Sequence, residues 1–430
     1  MFWLNRGYKW GLNSINPINI IILSSGINSF ELLRRKLPTT PFLLDPQMYF
    51  PINTDNNFIA ERKKTYKKLA SYPWYNNTPP VYSSSEYKIS DFKKQYKEDA
   101  SILSSLNIPT DAPQIINRIK SCFDFQSNLG VNALIIPTPL ATNYEDEFSI
   151  QLQWINKAIE LKNDYTLPLY ATIALSEDII LNQKFAENRV LQTVIDNLSV
   201  LDELSGYYLV IERTSGDTYI KNSNLAIAIL EMSYYLGHKL SKEFIINFTD
   251  IFGFICLGAG ATGFSSGTTT KEKRLSFNDY IDKSGGGPAL PHFFSYSLAC
   301  DFFPNRDLSK FRDTRLLRYL ENDFTPFSSS LKQALEQKIP IQSIPEWRES
   351  PNNITAASNH RIEVINNYCN HVLTLTFPER VEYTLAWIQN AEASMTYINS
   401  KLKAAPLSEI GVHLAVWSNS FSEFLSNHNL

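Results

Sequence analysis

Three acids stand at the ends of apolar runs: Asp45 after Pro41-Phe-Leu-Leu, Glu212 after Gly206-Tyr-Tyr-Leu-Val-Ile, and Asp250 shortly after Glu243-Phe-Ile-Ile-Asn-Phe248. A carboxylate delivered by a strand end can act as general base, as nucleophile, or as hydrogen-bond acceptor for a base or sugar. Each also has a plainer reading. Glu212 could pair with Arg213, Asp250 could cap a helix beginning at Ile251, and Asp45 could order the turn before Pro46. A second candidate is the stretch Leu257-Gly-Ala-Gly-Ala-Thr-Gly-Phe-Ser-Ser-Gly267. Small residues let backbone N–H groups approach an anion and hydroxyls add donors, so Gly258, Gly260, Ser265, Ser266 and Gly267 are expected to line a ligand loop. Lys271, Lys273 and Arg274 follow as candidate cations, and Ser284-Gly-Gly-Gly-Pro288 reads as a lid-like loop before His292. The plainer readings are tight helix–strand packing for the glycines, a solvated loop for the cations and a core histidine.

The elements that must position these residues alternate. Pro17–Gly26 is a near-continuous run of β-branched residues closed by small ones, as in a strand buried on both faces. A short helix over Ser29–Leu37 and a strand over Pro41–Pro46 follow. From Val131 the period is regular: strands over Val131–Pro137, Leu167–Leu175, Gly206–Glu212, Glu243–Phe248 and Ala261–Ser265, with helices over Phe148–Leu161, Phe185–Leu204, Asn222–Leu236 and Ile251–Leu257. Serial strand-then-helix units predict a parallel sheet with right-handed crossovers. Ala289–Leu298, carrying His292, is the expected eighth strand. No Gly-rich turn follows the first strand with an acid about 20 residues on, which disfavours an open dinucleotide-binding sheet. Acids at several strand ends suit a barrel's upper face. The expected fold is therefore an α/β (β/α)8 barrel formed by residues 1–46 and 131–305.

Between the two barrel portions, residues 47–130 are dense in Asn, Lys, Tyr and Pro, with helical patterns over Phe58–Ala70, Ser90–Leu106 and Ala112–Leu129, and read as an inserted helical lobe. Residues 306–430 read as a helical extension with helices over Ser330–Gln337, Arg361–Leu373, Glu379–Leu402 and Leu407–Leu425. Pro378 opens the third of these at a first-turn position.

The spacing in Gly258-Ala-Gly-Ala-Thr-Gly-Phe-Ser-Ser-Gly267 resembles the late-strand segment of phosphate-binding TIM-type barrels, which implies an anion site at the barrel mouth. The strand-end acids also loosely resemble those of the tRNA-guanine transglycosylase group, whose chemistry uses a carboxylate at a nucleobase. The zinc-binding Cys and His cluster of that group has no match here.

Composition bounds the remaining classes. A hydrophobic fraction of 43% with 26 Phe and 22 Tyr supports a sizeable core. The net charge of −3 lacks the basic footprint of a dedicated duplex-DNA binder, leaving room only for a local basic groove. The four cysteines, Cys122, Cys256, Cys300 and Cys369, are scattered and read as buried free thiols in a reducing compartment. No signal-peptide layout opens the chain, and its longest apolar runs fall far short of the ~20 residues that span a bilayer, so a soluble cytoplasmic protein is expected. No H-E-x-x-H, Walker-A or G-x-S-x-G motif occurs, so no metal is expected and no particular cofactor is indicated. Two functions remain. One is an enzyme acting on a phosphorylated or nucleotide- or nucleobase-like ligand, by glycosyl transfer or hydrolysis. The other is a non-catalytic barrel subunit, a scaffold or ligand sensor within an assembly such as a defence complex, with the helical lobe offered to a protein partner.

Overall fold

A computed structural model describes residues 1–6, 18–26, 40–52, 56–70, 72–75, 106–144, 147–182, 187, 189–282 and 289–430. Eight strands form one all-parallel sheet: β1 (Phe2–Arg6), β2 (Asn19–Leu23), β3 (Phe42–Asp45), β4 (Leu134–Ile135), β5 (Leu169–Ser176), β6 (Gly206–Glu212), β7 (Glu243–Asn247) and β8 (Gly263–Ser266). Neighbours in sequence are neighbours in the sheet, and β8 returns to pair with β1 through Trp3 and Ser265. The remaining seam, between β3 and β4, is bridged by one residue. The Asn132 N–H donates to the Phe42 carbonyl at 3.0 Å, and the Phe42 N–H donates to Asn132 Oδ1 at 2.8 Å. With helices around it, the sheet is a (β/α)8 TIM-type barrel. Its strands are apolar on both faces because one face meets the lumen and the other the helices, and all eight residues of β5 are buried.

Two strands depart from expectation. The barrel begins with β1, whose Phe-Trp-Leu-Asn-Arg sequence is too short and too polar at its end to read as a buried strand. Only pairing with both β2 and β8 makes it one. Because β1 supplies the missing strand, Gly263–Ser266 is the eighth, and Ala289–Leu298 is not in the barrel. Its Phe293–Ser295 portion instead pairs antiparallel with Cys300–Phe302 in a separate hairpin.

Helix 112–129 lies between β3 and β4 and packs on helix 147–160. Asp111 caps its start by accepting from the Gln114 N–H, and Gly130 ends it at φ 83°, where a side chain would be strained. Earlier in the same stretch, short helices Asn56–Glu61 and Lys63–Leu69 are present, and Met48, Tyr49, Phe50, Tyr66, Tyr72, Trp74 and Tyr75 are all buried. The expected helix Ser29–Leu37, nearly all of Ser90–Leu106 and the Ser284–Pro288 loop lie outside the described residues. Helix 189–199 represents the expected Phe185–Leu204. Asn222–Leu236 divides into an α-helix over 223–232 and a π-helical turn over 233–239.

The C-terminal extension carries helices 329–337, 355–374, 377–401 and 412–428. The third opens with a capping box between Thr376 and Glu379, with Pro378 in the first turn. Helix 412–428 packs on helices 223–232 and 377–401, so the extension is fastened to the barrel's outer layer. All four cysteines are free and buried. Among the described residues no helix is long and apolar enough to cross a membrane.

Candidate functional site

Strand register decides which residues face the barrel axis. Asn247 pairs in register with Val210, and Ser176 with Glu212, so Tyr208, Val210 and Glu212 share one side of β6. Hydrogen bonds across the lumen identify that side as the inner one. Asp45 is fully buried and accepts four donors: the Gln47 N–H at 3.0 Å, the Tyr49 hydroxyl at 2.6 Å, the Tyr208 hydroxyl at 3.1 Å and Asn247 Nδ2 at 3.0 Å. Burial pushes its carboxyl up to about 6, against the pull of these donors. Burial likewise raises the Tyr49 and Tyr208 phenols well above their ordinary value. Beside them, Asn5 Nδ2 donates to Asn247 Oδ1 at 2.8 Å and to Ser265 Oγ at 2.9 Å. Five strands thus meet in one polar layer, in which Asp45 is a satisfied core carboxylate that also orders the turn at Pro46 through the Gln47 N–H.

Glu212 stands two strand periods above Tyr208, toward the mouth. Its carboxylate accepts the Phe277 N–H and lies 3.5 Å from Ser176 Oγ. Burial, with the nearby charges of Asp178 and Glu177, pushes it up to about 7. Arg213 is not its partner. Consecutive strand residues face opposite ways, and Arg213 turns to Glu177 at 3.7 Å while donating to the Thr218 and Tyr219 carbonyls, each at 2.9 Å. That arrangement orders the loop after β6.

Asp250 is engaged elsewhere. It accepts from Arg361 Nη2 at 2.6 Å and from the Ser266 hydroxyl, and it does not cap the helix at Ile251. Arg361 also binds Asp301, which Lys273 approaches at 3.2 Å. Despite its burial, Asp301 is held well below the usual carboxylate range by Arg361 first and Lys273 second.

The glycine-rich stretch divides across β8. Gly258 and Gly260 precede the strand and Gly267 follows it, so they occupy opposite ends of the barrel and cannot serve one ligand. A Cβ on Gly258 would sit 2.4 Å from Thr384 Oγ1, and Gly260 turns the chain at φ 113°. At the upper end Ser265 and Ser266 are fully buried in the bonds already given. The loop N–H groups of Thr268 and Thr269 both donate to the Glu272 carboxylate at 3.0 Å, in a capping box where an anion was expected. The expected cations are engaged by neighbouring groups, although Lys271 remains exposed. Lys271 lies 4.8 Å over the Tyr280 ring, Lys273 binds Asp301, and Arg274 grips Asp279 through two bonds of 3.0 and 3.1 Å. His292 is outside the barrel strands. Its Nδ1 lies 3.0 Å from the Leu290 carbonyl, its ring packs 4.2 Å from that of Phe303, and burial lowers its pKa.

Of the expected site residues, then, Asp45 and Ser265 share the lumen layer, Glu212 stands above it, and Asp250 with Ser266 belongs to the Arg361 cluster. Sequence reasoning missed Asn5, Tyr49, Tyr208 and Asn247. Tyr208 alone carried a usable signal, the two-residue period leading back from Glu212.

Above the layer, aromatic side chains from the segments after β3 and β8 meet. The ring of Phe50 is 5.1 Å from Phe277 and 5.0 Å from Tyr280, and Phe58 is 5.9 Å from Phe277. Among the described residues no three of His, Cys, Asp and Glu could hold a metal ion.

The fold places the protein in the class of (β/α)8 barrels, here with a carboxyl at the C-terminal mouth. No family model and no curated protein matches the chain.

Proposed function

We propose that this barrel is an enzyme in which Glu212 transfers a proton to or from a nucleotide-, nucleobase- or sugar-like ligand, in glycosyl transfer or hydrolysis. One observation carries the reading. Of the three strand-end acids, Glu212 is the one with neither a cation bound to it nor a full shell of donors, and it is pushed up to about 7. An acid titrating there is matched to proton transfer near neutrality. Protonated, it can donate to the oxygen of a departing group; ionised, it can accept a proton from an attacking water or hydroxyl. Asp45 then serves as the floor of the site, holding Tyr208 and Tyr49 in place. A phosphoryl group on the ligand would have to displace the Glu272 carboxylate from the Thr268 and Thr269 N–H groups.

The test is release of base or sugar from a panel of nucleosides, nucleotides and aryl glycosides, compared between wild type and Glu212→Gln. The expected result is turnover with a pH limb near 7 that Glu212→Gln abolishes, while affinity stays within about tenfold. The non-catalytic reading draws on a different observation, the self-satisfied state of Asp45 and the 267–272 loop and the pairing of Asp250 with Arg361. It is favoured if wild type and variant are equally inert across the panel.

A further inference from the structure

Glu212 is 7% exposed and Asp45 0%, so no ligand reaches either while the segments above them stay in place. That cover has two parts. One follows β3 and contributes Phe50, Phe58 and Arg62. The other follows β8 and contributes Phe277, Tyr280 and Asp282. Between them run the aromatic contacts given above and three polar ones. Arg62 Nε donates to the Phe277 carbonyl at 2.9 Å, the Lys64 N–H donates to Asp282 Oδ2 at 2.8 Å, and the Asp282 N–H donates to the Glu61 carbonyl at 2.6 Å. The second part is fixed to the barrel at Leu275, whose carbonyl accepts the Arg213 N–H at 2.9 Å. Beyond that point its N–H at Phe277 is given to Glu212 itself. One residue, Phe277, therefore touches both the clasp and the candidate acid.

We propose that these two segments form a two-part lid over Glu212, clasped by Arg62 at Phe277 and by Asp282 at Lys64, which opens from Leu275 outward to admit the ligand. It rests on the reading of Glu212 as the reacting carboxyl. When the lid opens, Glu212 loses the Phe277 N–H, and a ligand N–H or O–H donor takes that place. The ligand class is accordingly one that presents a donor to a carboxylate, as a nucleobase edge or a sugar hydroxyl does. Closure then excludes water from the carboxyl.

Carbodiimide coupling of an amine to carboxyl groups, mapped by peptide mass spectrometry, reads access to Glu212 directly. In the wild-type protein Glu212 should label at least tenfold more slowly than the exposed Glu203. Arg62→Ala and Asp282→Ala should each raise labelling of Glu212 severalfold and leave Glu203 unchanged. Arg62→Lys should fall between, and Arg306→Ala, remote from the lid, should match wild type. Labelling of Glu212 at the rate of Glu203 in wild type, or unchanged labelling in both folded clasp variants, overturns the proposal. Should the clasp variants fail to fold, amide exchange in wild type decides. Joint exchange of Phe277 and Lys64, faster than in β6, supports the lid, and exchange at the β6 rate overturns it. Gated labelling together with a panel on which wild type is as inert as Glu212→Gln would remove the catalytic reading and leave the lid standing.

Discussion

Arg361 lies 2.6 Å from Asp250, joining helix 355–374 of the C-terminal extension to the end of β7. Both side chains are buried, and the same guanidinium binds Asp301. Removing the guanidinium leaves Asp250 buried without a cation, while Asp301 keeps Lys273. Arg361→Met is expected to destabilise the protein by about 3–5 kcal/mol. Denaturant titration checks this, and a loss below about 1 kcal/mol would mean water reaches the cluster.

The barrel seam depends on Asn132. Asn132→Ala removes the acceptor of the Phe42 N–H, at a cost of about 1 kcal/mol. Faster exchange of the Phe42 amide, with β5 and β6 unchanged, is the expected local signature.

Two buried histidines oppose acid. His360, between Thr325 Oγ1 and the Phe294 carbonyl, and His413, at the Ala299 carbonyl, are both pulled down by burial to about 4. Because their folded values lie below the ordinary 6.5, their contribution to stability is complete above about 6.5 and is lost as pH falls toward 4. The double variant His360→Gln/His413→Gln should lose less stability than wild type across that window, by up to about 1.4 kcal/mol per histidine per pH unit. Parallel stability curves would refute the assignment.

Glu212 has the opposite sign. Its folded value is raised to about 7 from 4.5, so its contribution is complete below about 4.5 and is lost as pH rises through 7. Glu212→Gln carries no such charge and should be more stable than wild type at pH 8, by on the order of 2 kcal/mol. A variant less stable than wild type at that pH would show the carboxylate to be a structural acceptor.

Gly258 is a packing residue. Gly258→Val would drive a side chain into Thr384 on helix 377–401 and cost about 1–3 kcal/mol. Gly216→Ala meets nothing within 4 Å and should stay within about 0.5 kcal/mol of wild type. Equal melting temperatures for the two variants would contradict this reading.

The sequence alone was sufficient for the strand-helix period from Val131 to Ser266, because strands buried on both faces must be apolar throughout and helices on the barrel's outside must be amphipathic. It also carried the helical extension and marked Glu212 as a strand-end acid. Other features were settled only by tertiary structure. Phe2–Arg6 becomes β1 because two partners, 16 and 262 residues away at Trp3↔Asn19 and Phe2↔Phe264, satisfy its backbone, and no local pattern reports such pairing. The fates of the acids are equally nonlocal. Asp45, Glu212 and Asp250 look alike as residues following apolar runs, yet Tyr208 and Asn247 satisfy the first, Arg361 neutralises the third, and the second is left with a single backbone donor and a distant hydroxyl. A carboxyl's charge state depends on burial and on the donors around it. For these three, most of those donors come from strands and helices far along the chain, so only the closed barrel decides which of them is left with few partners.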